Sequence, residues 1–396
     1  MSSPLPHAPV AHTRLPTLDA VRAVGAIMVV LTHCAFNTGR INDGWTGAAL
    51  SRMDFGVTLF FVVSGFLLAR PFLAARFENR PRPATGHYLW KRALRILPLY
   101  WLVVVIALVV DPANNDAGLD TWLTHLTLTQ IYPDALLASS VTQMWSLSTE
   151  VAFYLLLPLL ISLLWGRGPD TRRMLVLLAG LGVVGLGWSA FAPSVIGGHA
   201  GQWLPGFLPW FGIGLAFAVC YCDPAAKARL DDIAADMTGW WIVGAGLFAV
   251  ACSDLGGPRL LLTPTPWEGL TKSLLYGAAA ACLLLPLIFG DPLGNPVKRV
   301  LAGPVPTALG EISYGIFCIH MLVLIQGMRL LGIDDFTGRF ELVTTLTLTV
   351  SIVLAGLSYR FVEKPFLNLK DVGRLARRDP ATNDPATTQS DTSAAP

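Results

Sequence analysis

Residues 18–36 read LDAVRAVGAIMVVLTHCAF, a long apolar run in which only Asp19, Arg22 and His33 can carry charge. Arg22 and His33 are eleven residues apart, which on an α-helix is three turns plus about 20°, so the two side chains share one face roughly 16 Å apart along the axis. Asp19 lies one turn before Arg22 on nearly the same stripe. Ionisable groups inside a membrane helix cost roughly 2.5–3.5 kcal/mol each and persist mostly where they face a protein interior or an aqueous cavity. The stretch therefore predicts a membrane helix with a functional polar face.

The composition is that of an integral membrane protein. Hydrophobic residues make up 53% of the chain and charged residues 14%, against about 25% charged residues in a soluble domain. The net charge of +2 gives no reason to expect a nucleic-acid partner. Uncharged runs long enough to cross the hydrocarbon core of a bilayer recur from end to end. We predict an all-α integral membrane protein, one bundle of about ten transmembrane helices at residues 18–36, 55–73, 95–110, 145–165, 173–191, 203–221, 239–253, 271–289, 307–328 and 342–361.

Lys and Arg are concentrated on one side of this predicted bundle. They are frequent in the inner segments, such as 70–95 and 360–378, and the outer segment 111–144 has none. Because cytoplasmic loops carry the excess of Lys and Arg, the asymmetry predicts a multi-pass protein of the cell membrane (plasma or inner membrane) with both termini in the cytoplasm. An even number of spans agrees with this orientation.

The remaining composition suggests no second folded domain. Residues 1–15 and 371–396 are rich in Pro, Ala, Ser and Thr, and we predict disordered cytoplasmic tails on either side of one transmembrane domain at 16–370. The six cysteines all lie in or beside apolar spans and form no disulfide or metal pattern. The seven histidines are too scattered to suggest a metal site, so no metal is expected.

Two segments of the inner half could hold a ligand. Ser64 and Gly65, in the second span, permit close approach either of another helix, the more common explanation, or of a ligand. Lys91, Arg92 and Arg95 follow at the start of the third span, and Arg70 ends the span before. These basic residues satisfy the positive-inside rule and could equally form one anion site for a phosphate-rich cytosolic ligand.

Two further segments carry candidate acid–base groups. Glu150 lies one to two turns from the outer end of the fourth span, at a depth similar to that of His33. A carboxylate and an imidazole at equal depth make a plausible acid–base pair, although Glu150 could also neutralise an arginine or cap a helix. His320 lies in the ninth span. A lone histidine of this kind is more often a hydrogen-bonded packing residue than a catalyst.

Several of these segments together resemble the membrane acyltransferase family 3. They are Leu18 to Arg22 with His33, Phe60 to Leu68, Arg92 to Trp101, Trp145 to Tyr154, Ile312 to His320 and Leu357 to Phe366. Each motif is weak alone, but their order and spacing resemble those of the family over about residues 15–370. Family members often carry Glu-Gln after the glutamate of the Trp-Ser-Leu-Ser-x-Glu motif, whereas this chain has Val151 and Ala152, which suggests a subfamily.

The resemblance implies transfer of an acyl group, usually acetyl, from cytosolic acyl-CoA to a hydroxyl of an envelope sugar, a glycolipid or a secondary metabolite. It is to the stand-alone type, without a periplasmic esterase-like domain, which includes enzymes acting on macrolides and on trehalose mycolates. On this interpretation Arg70, Lys91, Arg92 and Arg95 hold the CoA phosphates beside Ser64. The catalytic residues are Arg22, along which the pantetheine arm runs, His33 as general base and Glu150 as its partner.

Two other function classes fit parts of the sequence. A transporter or flippase would also use intramembrane Arg, His and Glu, although no clear internal repeat is visible. A structural or sensory membrane protein fits the spans and leaves the polar stripe unexplained. Consumption of a thioester by the purified protein distinguishes the first interpretation from both.

Overall fold

The computed structural model describes residues 14–166, 168–259, 264–291 and 293–371. The predicted tails 1–15 and 371–396 lie outside these residues except at their inner ends. The described chain is helical, with no strand in these ranges. The α-helices are α1 (Pro16–Asn37), α2 (Gly44–Ser51), α3 (Phe55–Phe77), α4 (Thr85–Val110), α5 (Leu119–Leu126), α6 (Trp145–Trp165), α7 (Thr171–Val195), α8 (Leu204–Cys222), α9 (Pro224–Ile233), α10 (Met237–Ala251), α11 (Pro266–Ile288), α12 (Pro296–Leu301), α13 (Pro304–Leu330), α14 (Phe340–Ser358) and α15 (Lys364–Leu367).

The all-α prediction is confirmed, and the number of spans is close to the predicted one. Within the described ranges, nine helices are long and apolar enough to cross a membrane: α1, α3, α4, α6, α7, α8, α11, α13 and α14. The pair α9 and α10, bent by 80° at the break between them, brings the number to ten if it counts as one span. The predicted span 239–253 corresponds to α10, which has 15 residues and a length of about 22 Å, and it reaches the length of a membrane span only together with α9.

The beginning of the first helix and the end of the described chain lie on the same side of the bundle. Arg14 forms ion pairs with Asp19 at 3.0 Å and with Glu311 near the start of α13 at 3.3 Å. Trp90 Nε1, near the start of α4, donates a hydrogen bond to the carbonyl of Leu369 at 3.4 Å. The starts of α1, α4 and α13 and the end of the described chain therefore lie together, and we call this end of the molecule the terminal end.

The contacts of α10 show that it runs along the bundle. Asp231, at the end of α9, accepts a hydrogen bond from the amide of Gly290 at 2.7 Å, and Gly290 follows α11, whose Leu287 carbonyl bonds the Thr17 hydroxyl at the terminal end. At the other end of α10, Arg52 Nε donates to the carbonyl of Ala251 at 3.0 Å. Arg52 lies three residues before the start of α3, at the opposite end of the bundle, which we call the far end. Helix α10 therefore joins the two ends although it is short.

The segment between α4 and α6 folds back over the far end. His125 on α5 is 3% exposed; its Nε2 accepts a hydrogen bond from the amide of Ala138 at 3.2 Å, while its Nδ1 lies 2.8 Å from the carbonyl of Thr121. Burial lowers the pKa of His125, in keeping with the neutral ring that an accepting Nε2 requires. The Tyr100 hydroxyl on α4 donates to the His125 carbonyl and ties this segment to the bundle.

Helices α3 and α8 pack backbone to backbone through two glycines. A Cβ added at Gly65 would clash with the carbonyl oxygen of Phe211, and one added at Gly214 would clash with that of Val62. Any side chain at either position would force the helices apart. The predicted use of Gly65 in helix packing is confirmed, and the close contact fixes the position of its neighbour Ser64.

We expect Gly214→Ala to destabilise the protein by about 1–3 kcal/mol, because the added methyl group meets rigid backbone that cannot repack. Gly212→Ala, two residues earlier on α8, is the matched control, since a Cβ there meets nothing within 4 Å. Thermal unfolding of the two purified variants in the same detergent measures the difference. Equal melting temperatures for the two variants would contradict the backbone contact.

Candidate functional site

Two adjoining groups of cavities lie inside the bundle. The inner cavity, of about 510 Å³, opens toward the terminal end and is lined by residues of α1, α3, α4, α6 and α13. Two outer cavities, of about 260 and 480 Å³, lie toward the far end and share Asp54 and Lys272 with each other. Val57, Ser146 and Phe317 line both the inner cavity and the smaller outer one, so the two spaces meet at these three side chains.

Helix α1 contributes one ionisable group to each side of this junction. Arg22 lines the inner cavity and His33 the smaller outer cavity. Their common face results from the eleven-residue spacing, which places them roughly 16 Å apart along the helix. The predicted polar face of the first span therefore borders both cavities, and no single space contains both residues.

Cationic side chains surround the mouth of the inner cavity. Lys91, Arg92 and Arg95 all line it, joined by Lys370 after α15. The predicted basic cluster is therefore brought together around one space. Arg92 has a buried Nε without a hydrogen-bond partner in the described part of the chain.

Arg95 is held in place by the opposite wall of the cavity. Its Nη1 donates to Oε2 of Glu363 at 2.9 Å, and its Nη2 donates to the carbonyl of Glu311 at 3.2 Å. Glu363 is 1% exposed, so this is a buried ion pair, which orders both partners.

Glu150 anchors a polar stripe deeper in the inner cavity. Ser146, Glu150 and Tyr154 follow one another at four-residue intervals on α6, so they share a face, and all three line the cavity. One oxygen, Oε1 of Glu150, accepts hydrogen bonds from the Ser64 hydroxyl at 2.5 Å and from the Tyr154 hydroxyl at 2.6 Å. Ser64 and Arg22 thus border the same cavity as Glu150.

The prediction that Arg70 belongs to the basic cluster is corrected, because Arg70 is not among the residues that line the inner cavity. It lies six residues after Ser64 on α3, which turns its side chain about 240° away from the cavity face. Its guanidinium carbon lies 5.6 Å from the ring centre of Phe66 and 5.9 Å from that of Tyr221, in contact with α8. Proximity along the sequence could not distinguish these two faces of the helix.

The outer cavities hold a second group of polar side chains, which the sequence analysis did not identify as a site. Asp54 accepts hydrogen bonds from Lys272 at 2.7 Å and from the Tyr276 hydroxyl at 2.5 Å. Gln143 is 2% exposed and donates to the carbonyl of Cys318 at 3.0 Å, which leaves its Oε1 without a partner among the described residues. Lys272, an ionisable residue in a predicted span, was the available signal for this site.

His33 contacts another histidine and does not contact Glu150. Its Nδ1 lies 2.9 Å from the carbonyl of Val29 and 3.1 Å from Nε2 of His320 on α13. The hydrogen bonds of Glu150 go to other partners, and Glu150 lines a different cavity from His33. The predicted direct pairing is therefore corrected: similar depth on two helices does not make their side chains face each other.

The described residues include no cluster of three or more His, Cys, Asp or Glu that could hold a metal ion. The inner cavity presents guanidinium and ammonium groups together with the carboxylate of Glu150. The outer ones present the imidazole of His33, the paired Asp54 and Lys272, and the amide of Gln143. Such a set can bind an anion on one side and a hydroxyl-bearing molecule on the other, with a base near the junction.

Comparison with known proteins assigns the chain to a family. A family profile described as an acyltransferase domain matches residues 15–357. The acyltransferase MdmB of Streptomyces mycarofaciens is 28% identical to this chain, with 94% of this chain and 96% of MdmB aligned. Nodulation protein 10 of Rhizobium leguminosarum bv. viciae is 24% identical, with 91% and 95% aligned.

The peptidoglycan O-acetyltransferase OatA of Listeria monocytogenes is 22% identical, and the alignment covers 89% of this chain and 55% of OatA. No solved structure gives a match. The family profile covers most of the sequence, and MdmB and OatA are named acyltransferases. The chain belongs to the acyltransferase family 3 and is an acyltransferase of groups other than aminoacyl groups.

Proposed function

We propose that this protein is a membrane O-acyltransferase that moves an acyl group, in the simplest case acetyl, from cytosolic acyl-CoA to a hydroxyl of an envelope glycan, a glycolipid (of the trehalose-mycolate type, for example) or a secondary metabolite. The observation that carries the proposal is the pair of cavities of different chemistry that meet at Val57, Ser146 and Phe317. A phosphate-bearing donor fits the cationic inner cavity. A hydroxyl-bearing acceptor fits the outer ones.

The donor site is the inner cavity. Lys91, Arg92 and Arg95 supply the positive charge for the CoA phosphates. The Nε–H of Arg92 has no partner among the described residues and can donate a hydrogen bond to a phosphate oxygen. Arg22 and Ser64 lie beside the route from this charge to the junction. Arg70 lies outside the cavity, so the donor site we propose does not depend on it.

The acceptor site is the outer cavities, with His33 as general base. His33 Nε2 removes the proton from the acceptor hydroxyl as its oxygen attacks the thioester carbonyl. The ester forms, the carbon–sulfur bond breaks, and the leaving thiolate takes the proton from His33, so charge and protons balance without a metal. The unpartnered Oε1 of Gln143 offers an acceptor for a second hydroxyl of the same molecule.

Glu150 and Arg22 complete the catalytic set from the inner side. Glu150 fixes the hydroxyls of Ser64 and Tyr154 where the thioester arm passes, and Arg22 balances its charge. In this role Glu150 makes no hydrogen bond to His33, so other groups must stabilise His33 after it has taken up the proton.

The orientation we propose places the terminal end and the inner cavity in the cytoplasm, with both termini inside. The Lys and Arg excess supports it, and the shared position of the chain ends requires an even number of crossings. In intact cells we expect a membrane-impermeant maleimide to miss a single Cys placed at Ala84, in a cysteine-free background. A single Cys at Leu136, which is 96% exposed in the outer segment, should react. The reverse pattern would overturn the orientation and the cytosolic donor with it.

Arg92→Gln should raise the KM for acetyl-CoA and leave the affinity for the acceptor unchanged, because the lost contacts are to the donor alone. We expect a rise of at least about tenfold, as for loss of one charge-assisted hydrogen bond of about 1.5–3 kcal/mol. Arg70→Gln is the matched control: it removes the same charge near the inner face but outside the cavity, so its KM should stay near the wild-type value. Equal effects of the two variants would mean that the basic residues do not bind the donor and serve only to orient the protein in the membrane.

His33→Ala should lower the rate of acyl transfer by about 10²–10⁴-fold, the usual contribution of a general base. Binding of acetyl-CoA should persist, since the donor phosphates lie in the other cavity. Acetyl-CoA consumption by membrane vesicles, which carry the natural acceptors, measures the rate, and the elution profile of the detergent-purified variant confirms folding. Near-normal turnover would place the base elsewhere and favour a transport role for the polar face.

A further inference from the structure

We propose that His320 is a positioning residue for the base: together with the Val29 carbonyl it holds the hydrogen of His33 on Nδ1, and it accepts a hydrogen bond from the protonated ring during acyl transfer. The inference rests on the proposed function of His33. It starts from one contact, the 3.1 Å approach of His320 Nε2 to His33 Nδ1 between α13 and α1. The two ring centres are 5.1 Å apart.

The tautomer of His320 is set by its own helix. Its Nδ1 lies 2.7 Å from the carbonyl oxygen of Phe317 and 3.2 Å from that of Ile316. Carbonyl oxygens only accept hydrogen bonds, so Nδ1 must carry the hydrogen. In the neutral ring Nε2 then has a lone pair, and this lone pair meets His33.

The tautomer of His33 is determined by its neighbours. Its Nδ1 has two partners, the carbonyl oxygen of Val29 at 2.9 Å and the Nε2 lone pair of His320 at 3.1 Å, and both are acceptors. The hydrogen of His33 therefore resides on Nδ1. Within the described residues every hydrogen bond of the His33 ring goes through Nδ1. Its Nε2 is left with a free lone pair in the outer cavity, as a base that acts on a hydroxyl requires.

The same contact stabilises the ring after it takes the proton. The imidazolium carries hydrogen on both nitrogens, and His320 Nε2 is a ready acceptor for the Nδ1 hydrogen. His320 is 0% exposed, so water cannot take its place. The other charged groups bordering the smaller outer cavity are Asp54 and Lys272, which are paired with each other.

His320 cannot serve as a proton relay in this arrangement. To pass a proton on, it would have to release the hydrogen on Nδ1, and that hydrogen points to two backbone carbonyls that are not bases. Its function is therefore to accept a hydrogen bond and hold the ring. The competing explanation is that His320 only packs and bonds the turn of its own helix.

Two amide substitutions separate these explanations, because each reproduces one side of the imidazole. His320→Gln extends far enough to place an oxygen near the position of Nε2, so it keeps an acceptor for His33. His320→Asn is shorter and reaches only the position of Nδ1, so it keeps the bond to the carbonyls of α13 and loses His33. His320→Leu removes both.

For acetyl-CoA consumption in membrane vesicles, we expect kcat to fall by about 10²-fold in His320→Asn and His320→Leu, at the lower end of what a general base contributes. His320→Gln should recover to within about tenfold of the wild type. The KM for acetyl-CoA should stay within about twofold in all three. Full activity in His320→Asn with loss in His320→Gln would overturn the proposal, since packing would then explain the residue.

A spectroscopic readout makes the test independent of turnover. In ¹⁵N-histidine-labelled protein, the ring signals that vanish in His33→Ala belong to His33, and their shifts report which nitrogen carries hydrogen. We expect Nδ1–H with an unprotonated Nε2 in the wild type and in His320→Gln. In His320→Leu the Val29 carbonyl is the one remaining acceptor for that hydrogen among the described residues, so the tautomer should persist and the Nδ1 signal should shift because its hydrogen bond to His320 is lost. An Nε2–H ring in the wild type would overturn the positioning role even if the enzyme is active. Failure of the proposed function is a different result: no acetyl-CoA would be consumed by the wild type.

Discussion

The cost of placing ionisable side chains in hydrocarbon governs the arrangement of this bundle. Arg22 and His33 can remain on α1 only because the surrounding helices enclose polar space beside each of them. Both enclosures depend on α3, which presents Ser64 to the inner cavity while the adjacent Gly65 lets α8 approach its other face. Tight packing on one side of α3 thus stabilises an open, polar space on the other.

On the function we propose, each of the two spaces holds one substrate of the transfer reaction. A cationic cavity at one end and a cavity with hydroxyl-binding groups at the other allow two substrates to approach from opposite sides and meet at Val57, Ser146 and Phe317. With substrates bound in this way, neither of them would need to cross the bilayer. The reacting groups meet in a protein interior where hydrogen bonds are strong because water is scarce.

Features set by helical periodicity could be predicted from the sequence, whereas contacts between distant segments could not. The eleven-residue spacing of Arg22 and His33 and the clustering of Lys91, Arg92 and Arg95 are local, and the structure keeps both patterns. The side on which Arg70 lies also follows from periodicity, since it is six residues after Ser64; the prediction for Arg70 considered its distance along the chain and not its phase on α3. The partner of His33 is 287 residues away on α13, and only helix packing determines that contact. The 80° bend between α9 and α10 could not be predicted either, because it depends on how these two helices pack against the bundle.

The rigid separation along α1 has a consequence for the kind of donor that this enzyme can use. A helix has a fixed length per residue, so Arg22 and His33 stay roughly 16 Å apart along the axis. A donor whose charged part binds at the cationic groups must therefore carry its acyl carbon on a flexible arm that covers this distance to the base. If the donor is the acyl-CoA that we propose, the scaffold selects donors by the length of this arm. A small acyl phosphate could match the charge of the inner cavity and still fall short of the imidazole by three helical turns.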